Sequence, residues 1–245
     1  MRGPRLAAIP VSPSPFASSF TAVRRRHCFP PPAVRGPRGF DGGTNKYWDK
    51  FYKRHQNKFF KDRHYLDKDW GKYFSDDSSA SSNGKVVLES NVNFNEDQVN
   101  AFLCDVVTDD LCDTMMPSSI DVVTLIFMLS AVCPKKMHLI LQNVKKVLKP
   151  DGHILLRDYA IGDYAQVELD KRNQMISENF YIRGDGTSAF YFSEEFLSAL
   201  FGGAGFTIVD MDIYGRQIQN RSQNITMSRR WIRATFSQFA CVAPQ

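Results

Sequence analysis

Polar residues that can take part in chemistry stand where apolar stretches of the chain end. Ser130 and residues 157–159 each follow such a stretch, and Asp105 lies near the end of another. In an open α/β sheet the carboxyl ends of the strands face the ligand crevice, so these residues are candidates for a binding site. An acid such as Asp105 can hydrogen-bond a nucleoside amine, and apolar Ile126 can pack on an adenine face. The alternative is that an Asp at a strand end serves as a cap or turn residue.

A strand–helix–strand unit over residues 120–163 positions most of these candidates. Residues 120–128 are an almost unbroken apolar run rich in Val and Ile, which is typical of a strand buried on both faces. Pro134 opens a helix with one apolar stripe, and Gly152 lies in the turn that follows it. Residues 153–158 form a second apolar strand. Two strands joined by a helical crossover predict a parallel sheet and an α/β fold.

The remaining segments extend this pattern on both sides. Before the unit, residues 85–89 and 99–107 are predicted strands, and residues 108–119 a loop or short helix. After it, the pattern predicts a helix over 163–179, a hairpin over 180–192 about an Asp-Gly turn, a helix capped by Ser193, a strand over 206–214 and a final edge strand over 235–242. This order fits a doubly wound sheet.

Charge is strongly segregated along the chain. The net formal charge of +5 divides into +11 over residues 1–72, −11 over 73–212 and +5 after Asp212. Basic and aromatic residues are interleaved over 45–73, and the basic segment 216–233 carries Arg229-Arg230-Trp231. Such mixtures suit stacking on bases and pairing with phosphates. The alternatives are an N-terminal helix that docks by its aromatic residues, and charge runs that are simply solvated faces.

The first 43 residues contain seven Arg, no Lys and one acid, with many Pro, Ser and Ala. This composition is typical of an organellar transit peptide and predicts import into a mitochondrion or chloroplast. The alternatives are a disordered extension or a misassigned start, which would leave the protein in the cytoplasm. Residues 44–74 are then a predicted aromatic-basic helical arm, 75–84 a polar linker and 85–245 the main domain.

Neither a membrane segment nor a metal site is expected. No apolar run approaches the ~20 residues that a membrane helix needs. The five cysteines form no C-x-x-C pair and the five histidines no H-x-x-x-H pair, so a zinc site or a disulfide framework is not predicted.

Several longer motifs resemble those of the tRNA 3-methylcytidine methyltransferases of the methyltransferase-like group. The resemblance covers roughly residues 45–236, and its motifs include WDKFY at 48–52, FFKDRHY at 59–65, CDVVTDDL at 104–111, KVLKPDGHILLRDYAIGD at 146–163, FYIRGDGT at 180–187 and NRSQNITMSRRW at 220–231. It implies a Rossmann-like class I S-adenosylmethionine-dependent methyltransferase fold. It further implies an enzyme that forms 3-methylcytidine in the tRNA anticodon loop, with S-adenosyl-L-methionine as cofactor, tRNA as substrate and an activating protein as a further partner.

The resemblance also assigns roles to individual residues. The implied cofactor contacts are Trp48, Tyr52, Glu89, Asp105, Val106 and Ile126. The implied tRNA contacts are Lys61, Arg63, Arg157, Tyr159, Arg183, Arg229 and Arg230. Cytosine N3 carries a lone pair that can attack the methyl group once the base is flipped and oriented. The carboxylate of Asp158 would stabilise the positive charge that develops on the base, or it would only cap the second strand.

One family feature is missing from this chain. The family has a glycine-rich loop of the form E-x-G-x-G after its first strand, followed by a helix and another strand. Glu89 matches the start of that loop, but no Gly occurs between Gly84 and Gly152, and only eleven residues separate Glu89 from Ala101. A βαβ unit needs about 30 residues, so the fold is predicted to be truncated after its first strand and to bind S-adenosylmethionine weakly. The alternative function is therefore that of a catalytically impaired isoform that binds tRNA or a partner.

Overall fold

The computed structural model describes residues 6–7, 21–22, 47, 65–74, 86–89, 101–102, 104–221 and 224–238. Its helices are α1 (Tyr65–Phe74), α2 (Pro134–Val147), α3 (Tyr164–Lys171) and α4 (Glu194–Gly203). Its strands are β1 (Leu6–Ala7), β2 (Thr21–Ala22), β3 (Val87–Glu89), β4 (Ala101–Phe102), β5 (Ile120–Ile126), β6 (Leu148–Tyr159), β7 (Met175–Ser177), β8 (Phe180–Ile182), β9 (Ser188–Phe190), β10 (Phe206–Asn220) and β11 (Ile225–Gln238). Single 3₁₀ turns lie at Leu111–Asp113 and Leu129–Ala131.

A six-stranded mixed sheet in the order β10-β11-β6-β5-β3-β2 forms the centre of the fold. Strands β2, β3, β5 and β6 are parallel to one another. Strand β11 runs antiparallel to them, and β10 pairs antiparallel to β11 and so runs in the same direction as β6. The predicted strand–helix–strand unit is confirmed, because β5 and β6 are parallel neighbours joined by α2. Strand β6 begins at Leu148, however, so Gly152 lies inside the strand and not in the turn predicted before it. The strand predicted at 85–89 is confirmed as β3, the other neighbour of β5.

Helices pack against both faces of this sheet. Successive side chains of a strand point to opposite faces. Val123 and Leu125 of β5 belong to the larger core cluster, which includes buried residues of α2 and α4. Val122 and Ile126 pack instead with Trp70 of α1, which is only 2% exposed. Burial of a side chain of this size stabilises the fold by about 2–3 kcal/mol, and it fixes α1 on the sheet.

The strand predicted over 99–107 is wrong for its second half. Among the residues of this segment that the structure describes, Ala101–Phe102 alone form a strand, which pairs with β1 outside the central sheet. Asp105 lies in a turn, where its carbonyl oxygen accepts hydrogen bonds from the N–H groups of Thr108 and Asp109. Asp side chains compete for nearby backbone N–H groups and so favour turns over strands. The apolar pattern of this segment reflects burial of a loop rather than pairing in a sheet.

Two element boundaries also differ from the sequence pattern. The helix predicted over 163–179 ends at Lys171, because Asn173 adopts a left-handed conformation (φ 52°), and β7 follows. The strand predicted as a final edge over 235–242 begins much earlier, at Ile225, and lies between β6 and β10. The edge of the described sheet on this side is therefore β10.

Other local predictions are confirmed. Strands β8 and β9 form the antiparallel hairpin, and Gly186 in its turn has a positive φ of 83°. The side chain of Ser193 caps α4 by accepting from the N–H of Phe196 at 3.2 Å. The 3₁₀ turn Leu111–Asp113 lies within the segment predicted to be a loop or short helix.

Candidate active site at the carboxyl ends of the central strands

Asp158 lies near the carboxyl end of β6 and is fully buried. Its Oδ2 accepts from the backbone N–H of Ser130 at 2.9 Å, and its Oδ1 accepts from the N–H of Tyr159 at 2.9 Å. The first of these bonds joins the end of β6 to the 3₁₀ turn that follows β5. The structure therefore gives Asp158 the capping role that the sequence left open, at the edge of the sheet where a ligand is expected. Its catalytic role stays a prediction.

An aromatic cluster surrounds the next residue, Tyr159. The ring of Tyr159 lies 5.0 Å from that of Phe127 and 5.7 Å from that of Tyr191, between ring centroids. The guanidinium carbon of Arg183 is 5.2 Å from the centroid of the Tyr159 ring, which is a cation–π distance. Two predicted tRNA contacts, Tyr159 and Arg183, are thus brought together, although they come from β6 and from the loop after β8.

Tyr191 is the buried member of this cluster. Its side chain is fully buried, and its hydroxyl has no hydrogen-bond partner among the described residues. Burial raises the pKa of Tyr191 to about 12, so the phenol stays protonated at neutral pH. A protonated hydroxyl at the base of an aromatic cluster is able to donate a hydrogen bond to a bound group.

Asp163, in the loop after β6, joins this region to β11. Its Oδ2 accepts from Nε of Arg229 at 2.8 Å and from the backbone N–H of Arg230 at 2.8 Å. Its Oδ1 accepts from the N–H of Ala165 and so caps α3. The carboxylate is fully buried, and every one of these bonds is donated to it. Of the two predicted tRNA contacts, Arg229 is held by this ion pair and Arg230 is exposed.

Arg157, the remaining predicted tRNA contact on β6, takes part in an ion-pair network with α1. Its Nη1 lies 3.2 Å from Oδ2 of Asp69, and Nη1 of Arg233 lies 3.1 Å from Oδ1 of the same residue. Arg157 and Arg233 are direct partners in the β6–β11 register. The guanidinium of Arg157 also stacks over the ring of Tyr214 at 5.1 Å. One carboxylate on α1 is thus shared by two strands of the sheet.

The predicted contacts to the adenine end of the cofactor lie in buried positions. Asp105 is 8% exposed, Val106 2% and Ile126 2%. Oδ1 of Asp105 accepts from the N–H of Val107 at 3.2 Å, and its own N–H donates to Oδ2 of Asp109 at 2.7 Å. Val106 belongs to the larger core cluster and Ile126 to the smaller one on the other face of the sheet. A pocket shared by these residues stays a prediction.

Asn143 of α2 holds the segment that contains Asp105. Its Nδ2 donates to the carbonyl oxygens of Val106 at 3.3 Å and Asp109 at 2.6 Å, and its Oδ1 accepts from the N–H of Leu111 at 3.0 Å. Cys104 lies beside this acidic segment, and burial together with the carboxylates of Asp109 and Asp105 raises the pKa of its thiol to about 12. The thiol is therefore protonated and unreactive at neutral pH.

Four of the predicted site residues, Trp48, Tyr52, Lys61 and Arg63, lie outside the described residues. Glu89 is the last residue of β3 and pairs in register with Thr124 of β5. Tyr47, which directly precedes Trp48, is described and lies against the β8–β9 turn. A Cβ atom on Gly186 would fall less than 3.0 Å from the Tyr47 ring, so only glycine fits there. One residue of the predicted N-terminal arm thus contacts the hairpin that carries Arg183.

The residues that sequence reasoning missed are those that tie distant segments together: Asp69, Phe127, Asn143, Asp163, Tyr191 and Tyr214. Asp163 alone gave a local signal, since an Asp before a helical segment is a typical N-cap. Within the described part of the chain, no helix has the length and apolar character needed to cross a membrane. The same residues contain no group of three or more His, Cys, Asp or Glu side chains able to hold a metal ion.

A central parallel sheet, a helical crossover and a buried acid at the carboxyl edge define a Rossmann-like methyltransferase fold. The family model described as "Methyltransferase domain" matches residues 33–211. The chain is 35% identical to the tRNA N(3)-cytidine methyltransferase METTL6 of Rattus norvegicus, over 79% of each chain, and 32% identical to the tRNA N(3)-methylcytidine methyltransferase trm141 of Schizosaccharomyces pombe, over 80% of this chain and 92% of that one. A solved SAM-dependent methyltransferase from Methanosarcina mazei aligns with a TM-score of 0.45 and 17% identity, over 69% of this chain and 74% of that chain.

The chain belongs to the family of tRNA N(3)-cytidine methyltransferases. The alignment with the rat protein also agrees with a missing segment. It runs over 227 positions, whereas 79% of the 245 residues here is about 194, so about 33 positions of the relative have no counterpart in this chain. That number is close to the length of one strand–helix unit with its loop.

The described residues do not form a complete cradle for S-adenosylmethionine. The three described contacts predicted for its adenine end, Asp105, Val106 and Ile126, are buried. The sequence supplies no glycine between Gly84 and Gly152 at which backbone could approach the cofactor closely. The described residues do assemble the other side of the candidate site, at the carboxyl ends of β5 and β6.

Proposed function

We propose that this protein is an S-adenosylmethionine-dependent tRNA methyltransferase that forms 3-methylcytidine in the anticodon loop. The observation that carries the proposal is the 35% identity to a tRNA N(3)-cytidine methyltransferase over 79% of the chain. The aromatic cluster at the end of β6 supports it, because a flipped base requires planar partners on which to stack.

The residues at the end of β6 bind and orient the target base in this proposal. Tyr159 and Phe127 offer ring faces, and the guanidinium of Arg183 adds positive charge beside them. The protonated hydroxyl of Tyr191 donates to an acceptor on the base or on its phosphate. The nucleophile is N3 of the cytosine, whose lone pair requires no strong general base before attack, so orientation is the main contribution of these side chains.

The direct test measures methyl transfer and cofactor binding on the same protein. Transfer of a labelled methyl group from S-adenosylmethionine to a tRNA transcript is followed, and the modified base is located by reverse transcription. Methylation at N3 blocks Watson–Crick pairing, so the expected result is an arrest at one cytosine of the anticodon loop. Calorimetry with S-adenosylmethionine runs in parallel. No heat at high cofactor concentration together with no arrest would overturn the enzymatic function and leave a non-catalytic tRNA-binding protein.

Asp158 is proposed to stabilise the positive charge that develops on the cytosine while it holds the turn after β5. We expect Asp158→Asn to lower kcat about a hundredfold with a much smaller change in KM for tRNA, because the charge matters in the transition state. Asp158→Ala should also lower the free energy of unfolding by about 2–3 kcal/mol, since two buried N–H groups lose their acceptor. A folded Asp158→Asn protein with unchanged kcat would reduce Asp158 to the capping role alone.

Location and partners complete the proposal. The arginine-rich, acid-poor composition of residues 1–43 supports import into a mitochondrion or chloroplast. Expression of residues 1–43 fused to a fluorescent protein tests this, and a uniformly cytoplasmic signal would contradict it. An activating protein partner is proposed as well, and it predicts that methyl transfer by the purified protein rises when cell extract from the same source is added.

A further inference from the structure

Two rows of side chains cross strands β6, β11 and β10 beside the candidate site. Cross-strand partners lie on one face of a sheet, and residues two apart along a strand share that face. We call the first row the ionic row, and it consists of Arg157, Arg233 and Asp212. We call the second row the aromatic row, and it consists of Tyr159, Trp231 and Tyr214. The aromatic row thus lies on the same face as the ionic row, two residues nearer to the carboxyl end of β6.

The ionic row places two arginines in directly opposite positions. Like charges in such positions destabilise a sheet. Asp212 pairs with Arg233 at 3.6 Å between Oδ2 and Nη2, but its side chain is 49% exposed, so solvent screens this contact. A second carboxylate on the same face would balance the row.

Asp69 of α1 supplies that carboxylate. Its Oδ2 accepts from Nη1 of Arg157 at 3.2 Å, and its Oδ1 lies 3.1 Å from Nη1 of Arg233. The side chain of Asp69 is 15% exposed and that of Arg157 is 14% exposed, so their contact is screened less than that of Asp212. Together with Asp69 the ionic row carries two charges of each sign, and one carboxylate bridges both arginines.

A kink in α1 explains how Asp69 reaches the sheet beside Trp70. Adjacent residues of a regular α-helix point about 100° apart, so they do not both face one surface directly. Trp70 has φ −140° and ψ 17°, which are not helical angles, and α1 is kinked there. The Trp70 side chain packs against Val122 and Ile126, while Asp69 lies over the ionic row. The buried indole therefore fixes the place of the carboxylate.

Arg157 connects the ionic row to the aromatic row. Its guanidinium carbon lies 5.1 Å from the centroid of the Tyr214 ring, on a strand that is separated from β6 by β11. Tyr214 in turn lies 5.7 Å from Trp231, between ring centroids. The guanidinium thus reaches across β11 and lies against the aromatic row. Because an arginine side chain loses much rotamer freedom when it is held in one orientation, a fixed partner such as Asp69 is needed to keep it there.

We propose that Asp69 is a positioning residue for methyl transfer, which acts through Arg157 on the aromatic row that orients the target cytosine. This inference rests on the proposed function, since it takes the nucleotide to be bound at the end of β6. Asp69 itself touches neither the RNA nor the cofactor in this proposal. Because a small displacement of a reacting atom lowers the rate strongly, loss of Asp69 should lower kcat and leave KM for tRNA nearly unchanged.

The test compares two variants that remove the same charge from opposite sides of the ionic row. Asp69→Asn removes the bridging carboxylate, and Asp212→Asn, the matched control, removes the exposed partner of Arg233. Both are assayed with a tRNA transcript at a temperature well below their Tm. We expect Asp69→Asn to lower kcat about tenfold, to change KM for tRNA less than about twofold, and to lower Tm by about 5 °C. Asp212→Asn should keep its kcat and nearly its Tm.

Further variants separate positioning from stability. Adding Arg233→Gln to Asp69→Asn removes the repulsion between the two arginines, so Tm should recover. The carboxylate that holds Arg157 is still absent, so kcat should stay low. Asp69→Glu keeps the carboxylate and should keep kcat near that of the unaltered protein. Recovery of kcat together with Tm in the double variant would overturn the proposal, as would a folded Asp69→Glu protein with a kcat as low as that of Asp69→Asn.

A measurement that does not depend on methyl transfer distinguishes failure of this proposal from failure of the proposed function. Near-ultraviolet circular dichroism reports the fixed packing of aromatic rings. The signal of Asp69→Asn should be weaker than that of the unaltered protein, whereas Asp212→Asn should match it. If the spectra differ in this way but the unaltered protein transfers no methyl group, the proposed function fails and the coupling of Asp69 to the aromatic row stands. If methyl transfer occurs but Asp69→Asn changes neither the spectrum nor kcat, only the positioning proposal fails.

Discussion

Asn143 and Asp163 each make three hydrogen bonds from a buried side chain, but with different chemistry. Asn143 is 6% exposed, donates to two carbonyl oxygens and accepts from one N–H. Asp163 is fully buried and only accepts, from two backbone N–H groups and from Nε of Arg229. The first holds the segment with Asp105, and the second holds Arg229 and Arg230 of β11.

The difference shows how each side of the site depends on charge. A neutral amide suits Asn143 because the segment it holds presents both carbonyl and N–H groups. A carboxylate suits Asp163 because every group that reaches it is a donor, and one of them is a cation. The segment around Asp105 is thus positioned by neutral hydrogen bonds, whereas β11 is positioned at Arg229 by an ion pair with the buried Asp163. Asn143→Asp and Asp163→Asn exchange the two chemistries, and the two changes should lower the stability of the protein by different amounts.

The largest effect is expected from Asn143→Asp. The new carboxylate would face the carbonyl oxygens of Val106 and Asp109, to which it cannot donate. An uncompensated buried charge of this kind lowers the free energy of unfolding by about 3–5 kcal/mol. Denaturant unfolding followed by circular dichroism measures the loss.

The matched control for that change is Gln142→Glu, which adds the same charge to the exposed side of the same helix. It should change stability by less than about 0.5 kcal/mol. If both variants lose stability equally, the effect comes from the charge of α2 as a whole and not from the three bonds of Asn143.

A smaller loss is expected from Asp163→Asn. The amide oxygen still accepts one or two bonds, but the NH₂ group then faces a donor and the ion pair with Arg229 is lost. Loss of a charge-assisted bond lowers stability by about 2 kcal/mol. Asp170→Asn, at an exposed carboxylate of α3, is the control, and equal losses in both would contradict a specific role for Asp163.

Features with a local signal in the sequence could be predicted, and features that depend on contacts between distant residues could not. Strands β5 and β6 and helix α2 follow from continuous apolar runs and Pro134, which are local signals, although β6 extends back through the turn predicted at Gly152. The turn at Asp105 was missed because its apolar neighbours imitate a strand, while its own side chain binds nearby backbone. The bonds of Asp163 to residues 66 and 67 positions away leave no mark in any local pattern.

The predictions for the candidate site also differ in how far the structure bears on them. Arg183 and Tyr159 were both chosen from sequence, and the structure brings them together. Val106 and Ile126 were grouped as one adenine pocket, which stays a prediction. Val106 lies in a turn and not in the strand predicted over 99–107, so the residues beside it could not be chosen from strand alternation.

The smallest effect is expected at Asp110, on the side of the site held by Asn143. Hydrogen bonds from Lys146 and from the N–H of Cys112 lower the pKa of Asp110 below its usual 3.8. A carboxyl whose pKa falls on folding stabilises the protein above the pKa of the unfolded chain, and that stabilisation is lost as the pH falls through the lower folded value. Because the pair is exposed at the surface, its contribution is screened and small. Asp110→Asn should thus melt slightly below the unaltered protein at pH 6, and the difference in Tm should shrink as the pH falls below 3.8, the usual pKa of this carboxyl. Asp113→Asn removes a neighbouring exposed charge as the control.

A loss of stability in Asp110→Asn that does not depend on pH would mean that Asp110 acts by capping the 3₁₀ turn and not by its charge. The segment held by Asn143 would then be positioned by neutral hydrogen bonds alone.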